Sequence, residues 1–282
     1  MPDVLTITAI ALVAYAASNI LHEAVGHGGA CLVSGGKPEV LSSVHFECGE
    51  DAMSPLGSRM VSAAGTIANF IAAAIGLALF RATDPMRKPH AAYFLWLFTT
   101  VNLLMGAGYF LFSGAGNIGD WAAVANGTMS PLIWRPAMTV FGVALYFLFA
   151  RQCGRWLGAI VGNDHLAMKR ARLLTVPAYI AGGVLFCVSG LFNPVGPILI
   201  AVSAAAASFG GASGLLWLVQ FTRNSKRSTE PAELERNDAW IVAGCVASIF
   251  FVAILGPGIR WTAPTRRISP LQTHCHSVIH AA

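Results

Sequence analysis

The chain has 282 residues, 55% of them hydrophobic and only 11% charged, with a net charge of +5. A soluble domain carries about 25% charged residues. This composition excludes an ordinary globular enzyme and predicts an all-α integral membrane protein, a polytopic bundle of six to seven transmembrane helices in a lipid bilayer. The basic excess sits in loops between apolar stretches, so it gives no reason to expect nucleic acid.

A helix crossing needs about 20 mostly apolar residues. Seven stretches qualify in chain order: Val4–Leu21, Met60–Phe80, Ala92–Phe112, Pro136–Ala150, Leu173–Leu191, Val195–Phe221 and Ala239–Leu255, the fourth being short. Ala14-Tyr15-Ala16 looks like a signal-peptide cleavage site, but Met1–Asp3 carries no Lys or Arg, so the first stretch reads as a retained anchor. The polar loop Gly35–Leu56 follows it. Within that loop Val40, Leu41, Val44 and Phe46, spaced by Ser42, Ser43 and His45, read as a short β-element. Asn193-Pro194 divides the fifth and sixth stretches, as a tight hairpin or one broken helix. Arg223–Asp238 reads as a solvated loop. The organisation expected is a core over residues 1–130, further membrane helices over 131–256 and a polar tail over 257–282.

Lys and Arg collect in three connections, around Arg81/Arg87/Lys88, Arg151 to Arg172 and Arg223 to Arg236. If all seven stretches cross, these share one side, which the positive-inside rule makes cytoplasmic. Gly35–Leu56, with Glu39, Glu47, Glu50 and Asp51, then lies outside. Arg260, Arg266 and Arg267 in the tail break this pattern. Cys31 and Cys48 bracket the external loop and can pair there. Cys153, Cys187 and Cys245 are dispersed in apolar surroundings as small core residues. His274-Cys275-His276 with His280 reads as a disordered end rather than a metal site.

Ionisable groups in membrane segments are costly and functional by default. Checked against the seven stretches, four candidates stand out near segment ends: His22, Glu23 and His27 after the first, Asp120 after the third. Two imidazoles and two carboxylates are the ligand and base set of a catalytic zinc site. In H-E-x-x-H the histidines are four apart and share a helical face. Here they are five apart, which an ideal helix turns roughly 140° from each other. A single π-type turn absorbs the extra residue, and Gly26 before His27 is best able to relax there. The H-E-x-x-G-H form resembles the motif of the dipeptidyl peptidase III family of zinc peptidases over those six residues.

Three stretches together resemble the site-2 protease family of intramembrane zinc metalloproteases. They are Leu21-His22-Glu23-Ala24-Val25-Gly26-His27-Gly28, then Ala64-Gly65-Thr66-Ile67-Ala68-Asn69-Phe70, then Asn102-Leu103-Leu104 with Gly116-Asn117-Ile118-Gly119-Asp120-Trp121. They are similar to the family's H-E-x-G-H, A-G-P-x-x-N and N-x-x-P…L-D-G signatures. The chain departs from these by the inserted residue, by Thr66 and Met105 in place of Pro, and by Trp121 in place of Gly. The resemblance implies His22, His27 and Asp120 as zinc ligands, Glu23 as general base on a zinc-bound water, and Asn102 as a substrate-backbone contact. Asn69 is expected to serve helix packing. The implied activity is hydrolysis of peptide bonds in transmembrane protein substrates, in a multi-pass protein of a bacterial-type inner membrane. A proton- or ion-coupled transporter is the competing reading, since relays use the same side chains; a non-catalytic relative is a third. The resemblance implies a site toward the cytoplasm, whereas the loop charges place His22 and His27 toward the outside.

Overall fold

The computed structural model describes residues 1–49, 53–196, 200–224 and 230–261. Helix α1, Val4–Ile20, is capped by Asp3, whose carboxylate accepts from the Thr6 N–H at 2.9 Å. It runs unbroken into a π-helix, Leu21–Gly28, and then α2, Gly29–Val33. Strands β1, Lys37–Leu41, and β2, Phe46–Gly49, form a hairpin. Four long helices and one short one follow: α3, Pro55–Ala82; α4, Pro89–Gly116; α5, Asp120–Ala125; α6, Pro131–Val161; and α7, Ala167–Leu191. The last helix, α8, Asp238–Phe250, ends in a π-turn, Phe251–Leu255, before the two-residue strand β3, Ile259–Arg260.

Six helical runs among the described residues are long and apolar enough to cross a membrane: Val4–Val33, Pro55–Ala82, Pro89–Gly116, Pro131–Val161, Ala167–Leu191 and Asp238–Leu255. The protein is thus a multi-pass all-α membrane bundle with a small antiparallel sheet. Apolar side chains such as Val140, Phe141, Phe147, Val246 and Ile249 stand exposed along α6 and α8. Such an apolar outer surface is tolerable in lipid and not in water. Inside, α1 and α4 form the centre, with Ile10, Tyr15, Trp96 and Leu104 fully buried. Two buried aromatic polar ends reach backbone carbonyls: Trp96 Nε1 donates to Cys153 O at 2.9 Å and the Tyr93 hydroxyl to Leu174 O at 2.7 Å.

The fourth crossing is much longer than the apolar stretch Pro136–Ala150. Pro131 starts it where a proline costs no hydrogen bond, and the helix continues through Arg151 and Arg155. The stretch Val195–Phe221 is not one continuous helix. Its described part is a π-helix, Ile200–Gly210, then two 3-10 turns, Ser213–Leu216 and Leu218–Asn224. The Tyr146 hydroxyl repairs the break, donating to Gly211 O at 2.8 Å and accepting from the Gly214 N–H at 2.7 Å. In an apolar medium, backbone groups released by a broken helix need such partners.

Two further expectations are corrected. The segment 232–237 is not a solvated loop: Ala232 and Leu234 are buried, because its backbone bonds to helix ends. Ala232 N donates to Ile160 O, Asp3 N to Leu234 O, and His90 Nε2 to Glu235 O, each at 2.8 Å. The start of the stretch read as a polar tail instead pairs with the hairpin, giving a sheet of order β2-β1-β3. Glu50, Asp51, His274, Cys275, His276 and His280 lie outside the described residues.

The β1–β2 turn is held inside one end of the bundle. Ser43 N donates to Leu255 O at 2.8 Å, Asn19 Nδ2 donates to Ser43 O at 3.1 Å, and the Ser189 hydroxyl donates to Ser43 Oγ at 2.7 Å. These bonds collect the ends of α1, α7 and the last crossing around the hairpin. Cys31 in α2 and Cys48 in β2 form a disulfide.

Candidate metal centre

The local backbone decides whether two histidines five apart meet. The π-helix Leu21–Gly28 contains both. Its wider turn removes the angular error that an α-helix would leave, and the two Nε2 atoms come within 3.1 Å. Gly26 also has a packing role. A Cβ there would lie 2.7 Å from Gly65 Cα and 2.8 Å from Ala64 O, so the π-helix and α3 touch backbone to backbone.

Asp120 arrives from the far end of α4. That helix stops at Asn117 in the left-handed conformation, φ 56°, a common helix terminator. Gly119, at φ 87°, turns the chain again and α5 begins on Asp120. The carboxylate Oδ2 then lies 3.4 Å from His22 Nε2 and 3.5 Å from His27 Nε2. These three atoms form the one group of its kind among the described residues able to share a metal ion.

The outer nitrogens define the inner ones. His27 Nδ1 is 2.7 Å from the Val61 carbonyl and His22 Nδ1 is 3.3 Å from Asn69 Oδ1. Both partners are oxygens that accept, so each Nδ1 donates outward and each Nε2 faces the centre. Two ring nitrogens 3.1 Å apart and a carboxylate oxygen 3.4–3.5 Å from both then face one another. That arrangement is repulsive unless a cation or shared proton sits among them. Ligands held at about 2.0–2.1 Å in a tetrahedron are about 3.3 Å apart, so separations of 3.1, 3.4 and 3.5 Å fit zinc.

Glu23, 5% exposed, sits beside His22 on the same π-turn, within electrostatic reach of the His27 imidazole and the Tyr109 phenol. Asn102 is not part of the group. It is fully buried, its Nδ2 donates to Phe98 O of its own helix at 2.8 Å, and its Oδ1 has no partner. Seven residues of helix, about 10 Å, separate it from Tyr109.

Three further residues contribute roles that the sequence did not assign to them. Asn69 orients His22 rather than merely packing helices. Gly65 is the floor of the site, since a Cβ there would lie 2.5 Å from His27 Nε2 and 2.6 Å from His22 Nε2. The Tyr109 ring stacks on His22, centroids 4.5 Å apart and 11° from parallel. Gly65 and Asn69 belong to the Ala64–Phe70 stretch, and so were signalled by its pattern; Tyr109 had no signal beyond its place on α4. Comparison with protein-family models, curated proteins and solved structures found no match to this chain.

Proposed function

We propose that this protein is an intramembrane zinc metalloprotease that hydrolyses peptide bonds in membrane-protein substrates. The observation that carries the reading is the convergence of His22 Nε2, His27 Nε2 and Asp120 Oδ2 within 3.5 Å of one another, each imidazole oriented from behind by an acceptor. Three protein ligands leave a fourth tetrahedral position for water or substrate, the composition of a catalytic rather than a structural zinc site. Ligating histidines that donate their other N–H to a carbonyl are the usual second layer of such a site.

A zinc ion held by these three side chains would supply Lewis acidity, polarising the scissile carbonyl and acidifying the attacking water. The chain's own groups do the rest. Glu23 takes a proton from the water as its oxygen bonds to the carbonyl carbon, then passes that proton to the amide nitrogen as the C–N bond breaks. The substrate must arrive unwound, because a helix's carbonyls are already bonded within the segment. Strand β2 is an edge of the sheet and packs against the π-helix, with the Phe46 ring 3.4 Å from where a Gly28 Cβ would stand. An extended peptide added to that edge would present its backbone beside the site.

The test is metal content and cleavage by the purified full-length chain. About one zinc per chain is expected, lost in His22→Ala, His27→Ala and Asp120→Ala. Glu23→Gln is expected to keep the metal and lose cleavage of a transmembrane peptide. A preparation without bound metal at neutral pH overturns the site. Retained metal with no cleavage by the unaltered protein leaves a non-catalytic metal protein, and pH-driven flux in liposomes that survives zinc removal would favour a transporter.

A further inference from the structure

We infer that the site opens on the oxidising, extracytoplasmic side of the membrane and cuts substrate segments at their outward-facing ends; the cleavage part of this rests on the protease reading. Two unrelated chemistries give the same polarity. The bundle has two distinguishable ends. At one, the segment 232–237 ties together the starts of α1 and α4 and the end of α6 through the bonds of Asp3, His90 and Ile160. Arg81, Arg87, Lys88, Lys169, Arg172 and Arg236 crowd that end. Short connections rich in Lys and Arg stay on the cytoplasmic side.

The other end holds the π-helix, the hairpin, the loop that delivers Asp120 and the end of the last crossing, all joined through Ser43 and the His22–His27–Asp120 group. It also holds the Cys31–Cys48 disulfide, one helical turn beyond His27, which pins α2 to strand β2. Gly36 makes room for it, since a Cβ there would lie 2.5 Å from Cys48 Sγ and 3.0 Å from Cys31 Sγ. Disulfides persist in oxidising compartments and are rare where thiols are kept reduced. Among the described residues this end carries only the scattered cations Lys37, Arg59, Arg135 and Arg260, so the disulfide and the weaker basic charge mark the same end as external.

The polarity constrains the substrate. A site at one end of a crossing reaches only carbonyls at that depth. The same end carries the edge strand β2 that would receive an extended strand. The matching substrate is a membrane segment whose outward end unwinds, so that its external part is released and the remainder stays in the bilayer.

The experiment uses the full-length chain in the membrane of intact cells, with Cys187, Cys245 and Cys275 replaced by Ala and buried Cys153 left in place. Single cysteines are placed at exposed positions on the two ends, Asn126→Cys after α5 and Arg87→Cys between α3 and α4. A membrane-impermeant maleimide is expected to label the first and to reach the second only after permeabilisation. Alkylation before and after reduction is expected to show Cys31 and Cys48 already paired in the cell. The reverse labelling pattern, or free thiols at Cys31 and Cys48, overturns the orientation whatever the metal content. Two tagged single-span reporters then carry a Gly-Pro pair near the outward or the inward end. Cutting of the outward reporter alone is expected. Cutting of the inward reporter alone overturns the outward cut while sparing the protease reading. If neither is cut and the labelling is as expected, the protease reading falls and the orientation stands.

Discussion

The indole N–H of Trp121 donates to the Thr66 hydroxyl at 3.1 Å, joining α5 to α3 directly beside Asp120. These are two of the positions at which the chain departs from the site-2 protease pattern, one holding Thr for Pro and the other Trp for Gly. In this fold the two departures answer each other. Thr66 is fully buried, and the Trp121 ring stacks on Phe110 with centroids 4.4 Å apart. The pair fixes the first turn of α5, and with it the carboxylate, against the histidines. Trp121→Phe keeps an aromatic ring on Phe110 and removes the donor; Thr66→Val removes the acceptor with little change of shape. Each is expected to weaken metal retention about tenfold, as is common for groups that orient ligands. The double variant is expected to lose little more than either single one. Chelator competition on the purified protein measures all three; fully additive losses would show that the bond does not position Asp120.

Asn69→Leu leaves α3 apolar and continuous but removes the acceptor that fixes the His22 tautomer. Metal affinity is expected to fall about 10- to 100-fold without loss of folded protein. Metal titration alongside a thermal melt in detergent checks both. An unchanged affinity would return Asn69 to the helix-packing role that the sequence suggested.

The two glycines at the crossing of the π-helix and α3 separate packing from ligation. Gly65→Ala sets a methyl 2.5 Å from His27 Nε2, so its cost falls on the site. Helix α3 itself favours Ala over Gly by roughly 1 kcal/mol. The expected outcome is a folded protein that no longer holds zinc. Gly26→Ala instead drives a methyl into the Gly65 backbone, which cannot yield as a side-chain tip can. Overpacking of this kind costs about 1–3 kcal/mol, and a lowered melting temperature is expected even in metal-free protein.

The disulfide closes a loop with a sequence separation of 17 residues. Cross-links of that span stabilise by about 3 kcal/mol in the chain-entropy account. The Cys31→Ala, Cys48→Ala double variant is expected to melt at a lower temperature than the parent, and the difference is expected to vanish when the parent is reduced. A melt with and without reductant decides it.

At the end of the bundle rich in Lys and Arg, buried Arg170 caps the end of α6 through the Val161 carbonyl at 2.6–2.8 Å and pairs with Asp164. The hydrogen bond from Arg170 holds the Asp164 carboxyl below the usual carboxylate range. A carboxyl lowered in the folded state adds stability above its unfolded value, near pH 4, and that stability is lost as pH falls through the folded value. Asp164→Asn is therefore expected to destabilise at neutral pH and to flatten the loss of stability below about pH 4. Melting curves across that range test it; an acid limb identical to the parent's would show that the pair contributes nothing.

The membrane class and six of the seven expected crossings were legible in the sequence, which also singled out His22, His27 and Asp120, the side chains that the fold brings together. So was the need for a π-turn, because the five-residue spacing cannot chelate on an α-helix. These properties are local or compositional: hydropathy over about 20 residues, the angle per residue of a helix, the rarity of ionisable groups in lipid. The sixth apolar stretch misled because hydropathy records transfer into lipid and says nothing of backbone continuity; Tyr146 on another helix is what stabilises its break. The segment 232–237 misled in the opposite sense, its charged side chains masking a backbone that binds three helix ends.

What the sequence determined alone is that a few costly polar side chains would have to find partners within a lipid-embedded bundle. Which partners they found was decided only by the tertiary structure: the Val61 carbonyl behind His27, Asn69 behind His22, the bare Gly65 backbone below both, and Thr66 beside Trp121. Each contact joins residues more than 30 positions apart, and hydrogen bonds and van der Waals contacts act over distances in space that helical periodicity does not encode.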